Sequence, residues 1–218
     1  MTARTRIKVC GMTDIAEASG LVAAGVDALG FIFVEKSPRN IEPEKAREII
    51  ASLPPFVDAV GVFVDQDRDV VDDIVKYCGL TMVQLHGSES PQYCETVNAR
   101  VVKSFSIRPD VEFSDTNPFY DPYLEVVSGI LLDTYHEKLA GGTGKTFDWE
   151  LIKQCRPAAP LVLAGGLTPE NIADAIRQVR PFAVDVNSGV EISPGVKDVG
   201  AVERLVETVR VIDQEFHD

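Results

Sequence analysis

The chain has 218 residues, a formal net charge of -13 at pH 7 and 45% hydrophobic residues. This length suits one α/β domain that buries a sizeable core. The composition argues against a nucleic-acid partner, because the acidic chain shows no basic stripe for phosphate contacts. No apolar run is long enough to cross a bilayer, and the amino terminus lacks the apolar stretch of a signal peptide. We therefore expect a cytoplasmic protein without a membrane partner, in which local groups hold any anionic ligand.

The four cysteines are widely spaced and form no C-x-x-C pair; they are Cys10, Cys78, Cys94 and Cys155. This spacing argues against a disulfide framework and against a structural zinc site. A reducing compartment is the better match, and no other spacing in the chain suggests a metal.

Short apolar runs rich in β-branched residues alternate with amphipathic stretches from one end of the chain to the other. The predicted strands are Ile7–Cys10, Ala28–Val34, Ala59–Val64, Met82–Leu85, Val101–Phe105, Ile130–Asp133, Leu161–Ala164 and Ala183–Val186. The predicted helices include Asp14–Ala24, Pro43–Leu53, Asp67–Tyr77, Pro169–Val179 and Val199–Ile212. Nearly continuous apolar strands indicate burial on both faces, as in a parallel sheet covered by helices. Eight such units predict an α/β fold, a (β/α)8 TIM barrel, in a single domain over residues 1–218.

One unit of this pattern is weak. The segment Ile107–Pro122 contains prolines and little helical periodicity. We expect turns to replace a helix there.

Active sites of such barrels lie where the strands run into the following loops, so polar strand ends are the candidates. Cys10 ends the first strand, and Lys8 together with the next helix start could lower the pKa of its thiol and make it a base. Without such neighbours, a cysteine is usually a small buried hydrophobe. Asp133 leaves a strongly apolar strand, where a carboxylate is expected to be hydrogen-bonded or reactive, or else to cap a loop.

Five polar residues besides Cys10 and Asp133 lie at or near strand ends. Lys8 and Asp185 both face inward by the two-residue period, on first and last strands that become neighbours on closure, so we expect them to form an ion pair. His86 is either a ligand contact or a hydrogen-bonded core histidine. Arg39 could make a bidentate contact with a substrate carboxylate, or it is a solvated loop residue. Thr13 is placed to cap the first helix.

Three glycine-rich segments follow the last three predicted strands, at Gly141–Thr146, Gly165–Thr168 and Asn187–Val190. Glycines let backbone N–H groups approach an anion, and the last loops of this fold commonly hold phosphate, so we favour phosphate binding over ordinary turns. The candidate phosphate-binding residues are Gly142, Gly144, Lys145, Gly165, Gly166, Ser188 and Gly189. The end of the first segment, Gly144–Thr146, matches a nucleotide-binding P-loop, but Leu139 occupies the position of its first glycine, which argues against one.

Taken in order, these motifs resemble the phosphoribosylanthranilate isomerase family of tryptophan biosynthesis. The matching segments are Lys8–Thr13, Lys36–Arg39, Val83–Gly87, Leu131–Thr134, Gly141–Trp149, Leu163–Asn171 and Asp185–Glu191. The resemblance implies an Amadori rearrangement of N-(5-phosphoribosyl)anthranilate to 1-(2-carboxyphenylamino)-1-deoxyribulose 5-phosphate. It implies no cofactor, a small phosphorylated substrate as partner, and a monomer or homodimer.

The resemblance also implies roles for particular residues. Asp133 matches the general acid that protonates the furanose oxygen, and Cys10 matches the base that removes the proton from C2. Arg39 matches the contact to the anthranilate carboxylate, and the glycine-rich loops match the phosphate site. Asn187 stands where the family usually has serine, and Asn40 stands where an aromatic residue is common.

Two alternatives stay open at this point. The first is another sugar-phosphate barrel isomerase or epimerase, which would need metal ligands or a different acid/base set. The second is a non-catalytic protein that binds a phosphorylated ligand.

Overall fold

Eight parallel strands close into a barrel in the computed structural model, which describes residues 4–107, 119–133, 149, 152 and 156–216. The strands are β1 (Arg6–Cys10), β2 (Ala28–Ile32), β3 (Asp58–Phe63), β4 (Met82–Leu85), β5 (Arg100–Ser106), β6 (Gly129–Asp133), β7 (Leu161–Ala164) and β8 (Ala183–Val186). Each strand pairs with its neighbours in sequence, and β8 pairs with β1. The predicted TIM barrel is therefore confirmed.

The described helices lie between the strands. They are α1 (Ile15–Ala24), α2 (Pro43–Ala51), α3 (Arg68–Cys78), α4 (Pro91–Thr96), α5 (Ile172–Val179) and α6 (Val199–Glu215). A short hairpin of β9 (Glu191–Ser193) and β10 (Val196–Lys197) lies between β8 and α6. No helix among the described residues is long and apolar enough to cross a membrane.

After β5, the described part of the weak unit consists of turns. A single 3-10 turn, Asp121–Tyr123, precedes β6. Because residues 108–118 lie outside the described part of the chain, the expected replacement of a helix by turns in this segment stays a prediction.

Several element ends differ from the sequence prediction for local reasons. β2 ends at Ile32 because the chain turns at Val34, whose carbonyl accepts from the Ser37 N–H. α1 is capped by Asp14, whose carboxylate accepts from the N–H groups of Ala16 and Glu17. The predicted cap, Thr13, is therefore wrong.

The alternation of side chains along the strands produces two apolar layers. Inside the barrel, Val102, Leu131, Val162 and Ala183 fill the lower part. A larger cluster lies between the strands and the helices, where Leu29 and Leu132 are fully buried. Burial of the strands on both faces leaves the polar side chains at their carboxyl ends as the candidates for function.

Helix α6 packs against α1 and α5. Its buried face recurs every three or four residues, at Ala201, Val202, Leu205, Val206, Val209 and Ile212. Asp213, near its end, accepts from the N–H and the hydroxyl of Thr5 just before β1. These contacts tie the end of α6 to the segment that leads into β1.

Candidate active site

A cavity of about 240 Å³ opens at the carboxyl ends of the barrel strands. Its walls include these residues singled out from the sequence: Cys10, Arg39, His86, Asp133, Gly165, Gly166, Asp185, Ser188 and Gly189. Lys8 lies deeper in the barrel, against Asp185. The remaining candidates, Gly142, Gly144 and Lys145, lie outside the described residues.

Lys8 and Asp185 form the expected ion pair. They are register partners on β1 and β8, and Lys8 Nζ donates to Asp185 Oδ2 at 2.6 Å. Their side chains are only 9% and 6% exposed. Burial opposes the charge of Lys8, but Asp185 and Cys10 together outweigh it and raise the pKa of the ammonium group. Within the described structure, Asp185 Oδ1 is buried without a hydrogen-bond partner.

Cys10 lies at the end of β1, beside this ion pair. Burial raises the pKa of its thiol above the ordinary value, and the nearby Lys8 ammonium only partly offsets that effect. The expectation of a lowered thiol pKa is therefore wrong for the ligand-free protein, because removal from water outweighs the attraction of the cations.

The lack of a side chain at Gly30 leaves room for the thiol of Cys10. Gly30 is the register partner of Cys10 on β2, and a Cβ atom there would lie 2.7 Å from Cys10 Sγ and 3.1 Å from Lys8 Nζ. Nothing in the alternation of β2 indicated this role, because a strand glycine is usually read as a weak point or a bulge.

Asp133 ends β6 and shares the cavity with His86, which follows β4. Asp133 Oδ2 lies 3.6 Å from His86 Nε2. The other ring nitrogen, His86 Nδ1, lies 3.4 Å from the amide nitrogen of Gln84, a buried residue that also lines the cavity. His86 therefore lines the cavity, and a contact between it and the ligand stays a prediction.

Arg39 follows β2 and is not a solvated loop residue, since its side chain is only 17% exposed. Its Nε donates to Glu191 Oε1 at 2.8 Å, and its Nη2 donates to Glu191 Oε2 at 2.6 Å. A Cβ atom at Gly11 would lie 2.8 Å from Arg39 Cδ, so the stem of the arginine passes close to the backbone after Cys10.

Two charged residues of this site were missed from the sequence. Glu191 ends the segment Asp185–Glu191 but had no predicted role, and Lys197 lies in a polar stretch after the last strand that shows no periodic pattern. Lys197 is fully buried and donates to Glu191 Oε1 at 2.7 Å and to Asn187 Oδ1 at 2.9 Å. Asn187, noted above for replacing a serine, thus accepts from a buried cation.

The glycine-rich loops after β7 and β8 meet at the cavity. Gly165 and Gly166 have φ values of 95° and 60°, which favour glycine. A Cβ atom at Gly189 would lie 1.9 Å from the carbonyl oxygen of Leu167, so the two loops are in close contact. Ser188 and Gly189 begin a 3-10 turn beside them.

The described residues contain no group of three or more His, Cys, Asp or Glu side chains that could hold a metal ion. The cavity instead combines a thiol, a carboxylate, an arginine and backbone N–H groups of glycine-rich loops. Such a set can move protons and bind anions.

A closed eight-stranded barrel with ionisable side chains gathered at the carboxyl ends of its strands defines a TIM-barrel enzyme. A sequence model described as N-(5'phosphoribosyl)anthranilate (PRA) isomerase matches residues 7–208. The chain therefore belongs to the N-(5'-phosphoribosyl)anthranilate isomerase family.

Individual relatives agree with this assignment. An N-(5'-phosphoribosyl)anthranilate isomerase from Geobacter sp. (strain M21) is 50% identical over 202 residues, which are 93% of this chain and 96% of that protein. The crystal structure of phosphoribosyl anthranilate isomerase from Thermotoga maritima has a TM-score of 0.80 and 41% identity, covering 95% of this chain and 99% of the other. A structure of phosphoribosyl anthranilate isomerase in complex with reduced 1-(o-carboxyphenylamino)-1-deoxyribulose 5-phosphate has a TM-score of 0.79 and 38% identity, covering 95% and 99%.

Proposed function

We propose that this protein isomerises N-(5'-phosphoribosyl)anthranilate to 1-(2-carboxyphenylamino)-1-deoxyribulose 5-phosphate in tryptophan biosynthesis. The observation that carries the proposal is the placement of Cys10 and Asp133 in one cavity of a barrel that belongs to this isomerase family. The product differs from the substrate only in the positions of protons and in the opened ring, so one acid and one base are sufficient chemistry.

Asp133 acts as the general acid. It gives its proton to the furanose oxygen while the bond from C1 to that oxygen breaks and the nitrogen lone pair forms an iminium ion. The thiolate of Cys10 then removes the proton from C2, and the electron pair of that C–H bond neutralises the iminium to an enolamine. Transfer of the C2 hydroxyl proton to C1 completes the ketone. The Cys10 thiol then releases its proton to water and Asp133 takes one up, so atoms and charge balance and both groups are restored.

The position of Lys8 supports the role of Cys10. Its ammonium group favours the thiolate through charge and hydrogen bonding, against the cost of burial. Because Asp185 holds Lys8 at 2.6 Å, the cation stays in place beneath the thiol. The fixed charge pair inside the barrel thus favours the thiolate, although in the free enzyme it does not outweigh the effect of burial on the pKa of Cys10.

Anion binding is divided between two parts of the cavity. Arg39 binds the anthranilate carboxylate, and the loops containing Gly166, Ser188 and Gly189 bind the phosphate through backbone N–H groups. Gly142, Gly144 and Lys145 complete the phosphate site in this proposal. His86 contacts the substrate from the side of Asp133.

The test uses the fluorescence of N-(5'-phosphoribosyl)anthranilate. Purified protein should consume the emission faster than the spontaneous decay of the substrate, and the Cys10→Ser protein should not. A ligand-binding protein would leave the decay rate unchanged. A sugar-phosphate epimerase of another kind would act on its own substrate and leave this emission unaffected.

We further propose that residues 1–218 act as one domain in the cytoplasm. The expected assembly is a monomer or a homodimer, and sedimentation velocity distinguishes them.

A further inference from the structure

The cavity rim carries a cluster of one carboxylate between two cations, formed by Arg39, Glu191 and Lys197. The side chains of Glu191 and Lys197 are 3% and 0% exposed, so this part of the cluster is shielded from water. Its three side chains come from distant parts of the sequence, the loop after β2 and the hairpin of β9 and β10. The cluster carries a net positive charge next to the substrate cavity.

Every oxygen of Glu191 is used. Oε1 accepts from Arg39 Nε at 2.8 Å, from Lys197 Nζ at 2.7 Å and from the Gly195 N–H at 3.1 Å, and Oε2 accepts from Arg39 Nη2 at 2.6 Å. Burial alone would raise the pKa of Glu191, but the hydrogen bonds from Arg39 and Lys197 outweigh it and lower that pKa to about 2. The carboxylate therefore keeps its charge throughout the working pH range.

The contact with Glu191 uses one side of the guanidinium group of Arg39. The Nε and Nη2 groups form the side edge, whereas Nη1 and the second hydrogen of Nη2 form the terminal edge. The terminal edge makes no hydrogen bond within the described part of the chain, and Arg39 lines the cavity. A planar fork with one edge held and the other facing a ligand site suits bidentate binding of a carboxylate.

The hairpin that carries Glu191 is tied to the loop after Cys10 and to α1. The Thr13 hydroxyl donates to the Gly195 carbonyl at 2.8 Å, and the Lys197 N–H donates to Glu17 at 3.0 Å. The ammonium group of Lys197 donates to three acceptors, which are the carbonyl and side-chain oxygens of Asn187 and Oε1 of Glu191. Asn187 therefore helps to hold Lys197 beside Glu191. The position of Glu191 is therefore determined on several sides.

We propose that Glu191 is a positioning residue that, supported by Lys197, aims the terminal edge of Arg39 into the cavity and so sets the enzyme's selectivity for a substrate bearing an aryl carboxylate. This inference rests on the proposed function. Glu191 does not touch the substrate; it acts through Arg39, whose four side-chain torsions would otherwise let the guanidinium group leave the site.

The test compares two ligands in each variant by calorimetry. The first is reduced 1-(o-carboxyphenylamino)-1-deoxyribulose 5-phosphate, and the second is the same molecule without the carboxylate. Because the carboxylate forms charged hydrogen bonds with Arg39, we expect the wild-type protein to bind the first ligand about 10- to 100-fold more tightly than the second. Arg39→Ala should reduce this ratio to near one, and Glu191→Gln should reduce it at least about fivefold.

A double variant separates positioning from a merely structural role. If Glu191 acts through Arg39, then Arg39→Ala with Glu191→Gln should show the same ligand ratio as Arg39→Ala alone. A ratio in the double variant that differs from that of Arg39→Ala, or an unchanged ratio in Glu191→Gln, overturns the proposal. If the wild-type protein binds neither ligand, the proposed function itself fails, which is a distinct outcome.

Two more variants serve as a conservative substitution and as a control. Glu191→Asp keeps the charge but is one methylene shorter, so it should fold and give a ratio between those of the wild type and Glu191→Gln. It decides the matter if Glu191→Gln does not fold, and an unchanged ratio in Glu191→Asp then counts against the proposal. Glu215→Gln breaks a similar bidentate pair with Arg177 on the exposed surface and should leave the ratio unchanged.

Discussion

Lys8 and Asp185 face each other across the seam where the last barrel strand meets the first, with Nζ and Oδ2 2.6 Å apart. The pair lies in the barrel interior, next to the thiol of Cys10. The charges next to the thiol therefore depend on barrel closure, because the pairing of β1 with β8 brings Lys8 and Asp185 together.

The first prediction concerns the cost of breaking this pair. Asp185→Asn leaves the Lys8 ammonium buried without its counter-charge, and the free energy of unfolding should fall by about 3–5 kcal/mol. Urea unfolding followed by circular dichroism measures the change. Glu215→Gln removes an exposed partner of Arg177 and serves as the control, which should change stability far less. Equal stability of Asp185→Asn and the wild-type protein would contradict this account.

Prediction from the sequence succeeded where a regular period carried the information. The apolar strands indicated a closed barrel, and the two-residue period placed Lys8 and Asp185 on the inner faces of neighbouring strands. The strand ends at Cys10 and Asp133 followed from the same reasoning. These positions depend on backbone geometry, which a local pattern expresses directly.

The remaining features depend on contacts between distant segments. Glu191 and Lys197 lie in a polar stretch without period, and only the folded hairpin shows that both are buried against Arg39. The raised thiol pKa of Cys10 is likewise a result of burial, whereas the sequence displayed only the neighbouring cation. The need for glycine at position 30 follows only from the residue that pairs with it on β1, Cys10.

The second prediction concerns Gly30. In Gly30→Ala the new methyl group would lie within 2.7 Å of Cys10 Sγ, so the thiol must move. A displacement of this kind should lower kcat by about 10- to 100-fold, with a smaller change in KM. Steady-state kinetics by the fluorescence assay measures both. Gly129→Ala, at the opposite end of the barrel on β6, is the matched control and should retain kcat; an active Gly30→Ala protein would show that the thiol is not held by this contact.

The third prediction concerns phosphate binding. Gly189→Ala places a methyl group 1.9 Å from the Leu167 carbonyl and must separate the two loops that form the site. KM should rise by about tenfold or more while the protein stays folded, because phosphate is held mainly by backbone N–H groups. Lys145→Ala should have the smaller effect on KM. The idea of a backbone phosphate site fails if Lys145→Ala raises KM by orders of magnitude while Gly166→Val changes nothing.

The fourth prediction is the pH dependence of the thiol. Because burial raises the pKa of Cys10, the thiolate should form only above the usual range of a cysteine in the free enzyme. Catalysis needs one proton on the pair of Asp133 and Cys10, held by the carboxyl group and absent from the thiol. When the pH rises through the pKa of Cys10, the pair loses this proton, and the acid has none to donate. The fall of kcat/KM on the alkaline side should therefore occur above the ordinary thiol pKa.

Direct titration checks this prediction without turnover. The rate of alkylation of Cys10 by iodoacetamide should rise with pH through that same alkaline range, as followed by mass spectrometry of the peptide containing Cys10. Cys78 and Cys94 provide internal comparisons, since burial raises the pKa of each to about 11. Rapid alkylation of Cys10 at neutral pH would mean that the thiol is already ionised, contrary to the expected shift.

The last prediction assigns opposite roles to Cys10 and Asp133. Cys10→Ser replaces the thiol with a hydroxyl that ionises far less readily, and Asp133→Asn keeps hydrogen-bond donors but has no proton to transfer. Each change should lower kcat by about 10²-fold or more while KM changes little, because a positioned acid or base contributes about 10²- to 10⁴-fold. Stopped-flow and steady-state fluorescence measure the two constants.

The neighbour of Asp133 provides the decisive comparison. His86 Nε2 lies 3.6 Å from Asp133 Oδ2, so the histidine is the nearest competitor for the role of acid. His86→Asn should retain much more than a tenth of the wild-type kcat if Asp133 donates the proton. If Asp133→Asn instead keeps more than a tenth of kcat and His86→Asn loses it, the proton comes from the histidine, because only the true donor is indispensable for opening the ring. If Cys10→Ser keeps that much activity, the base is another group of the cavity.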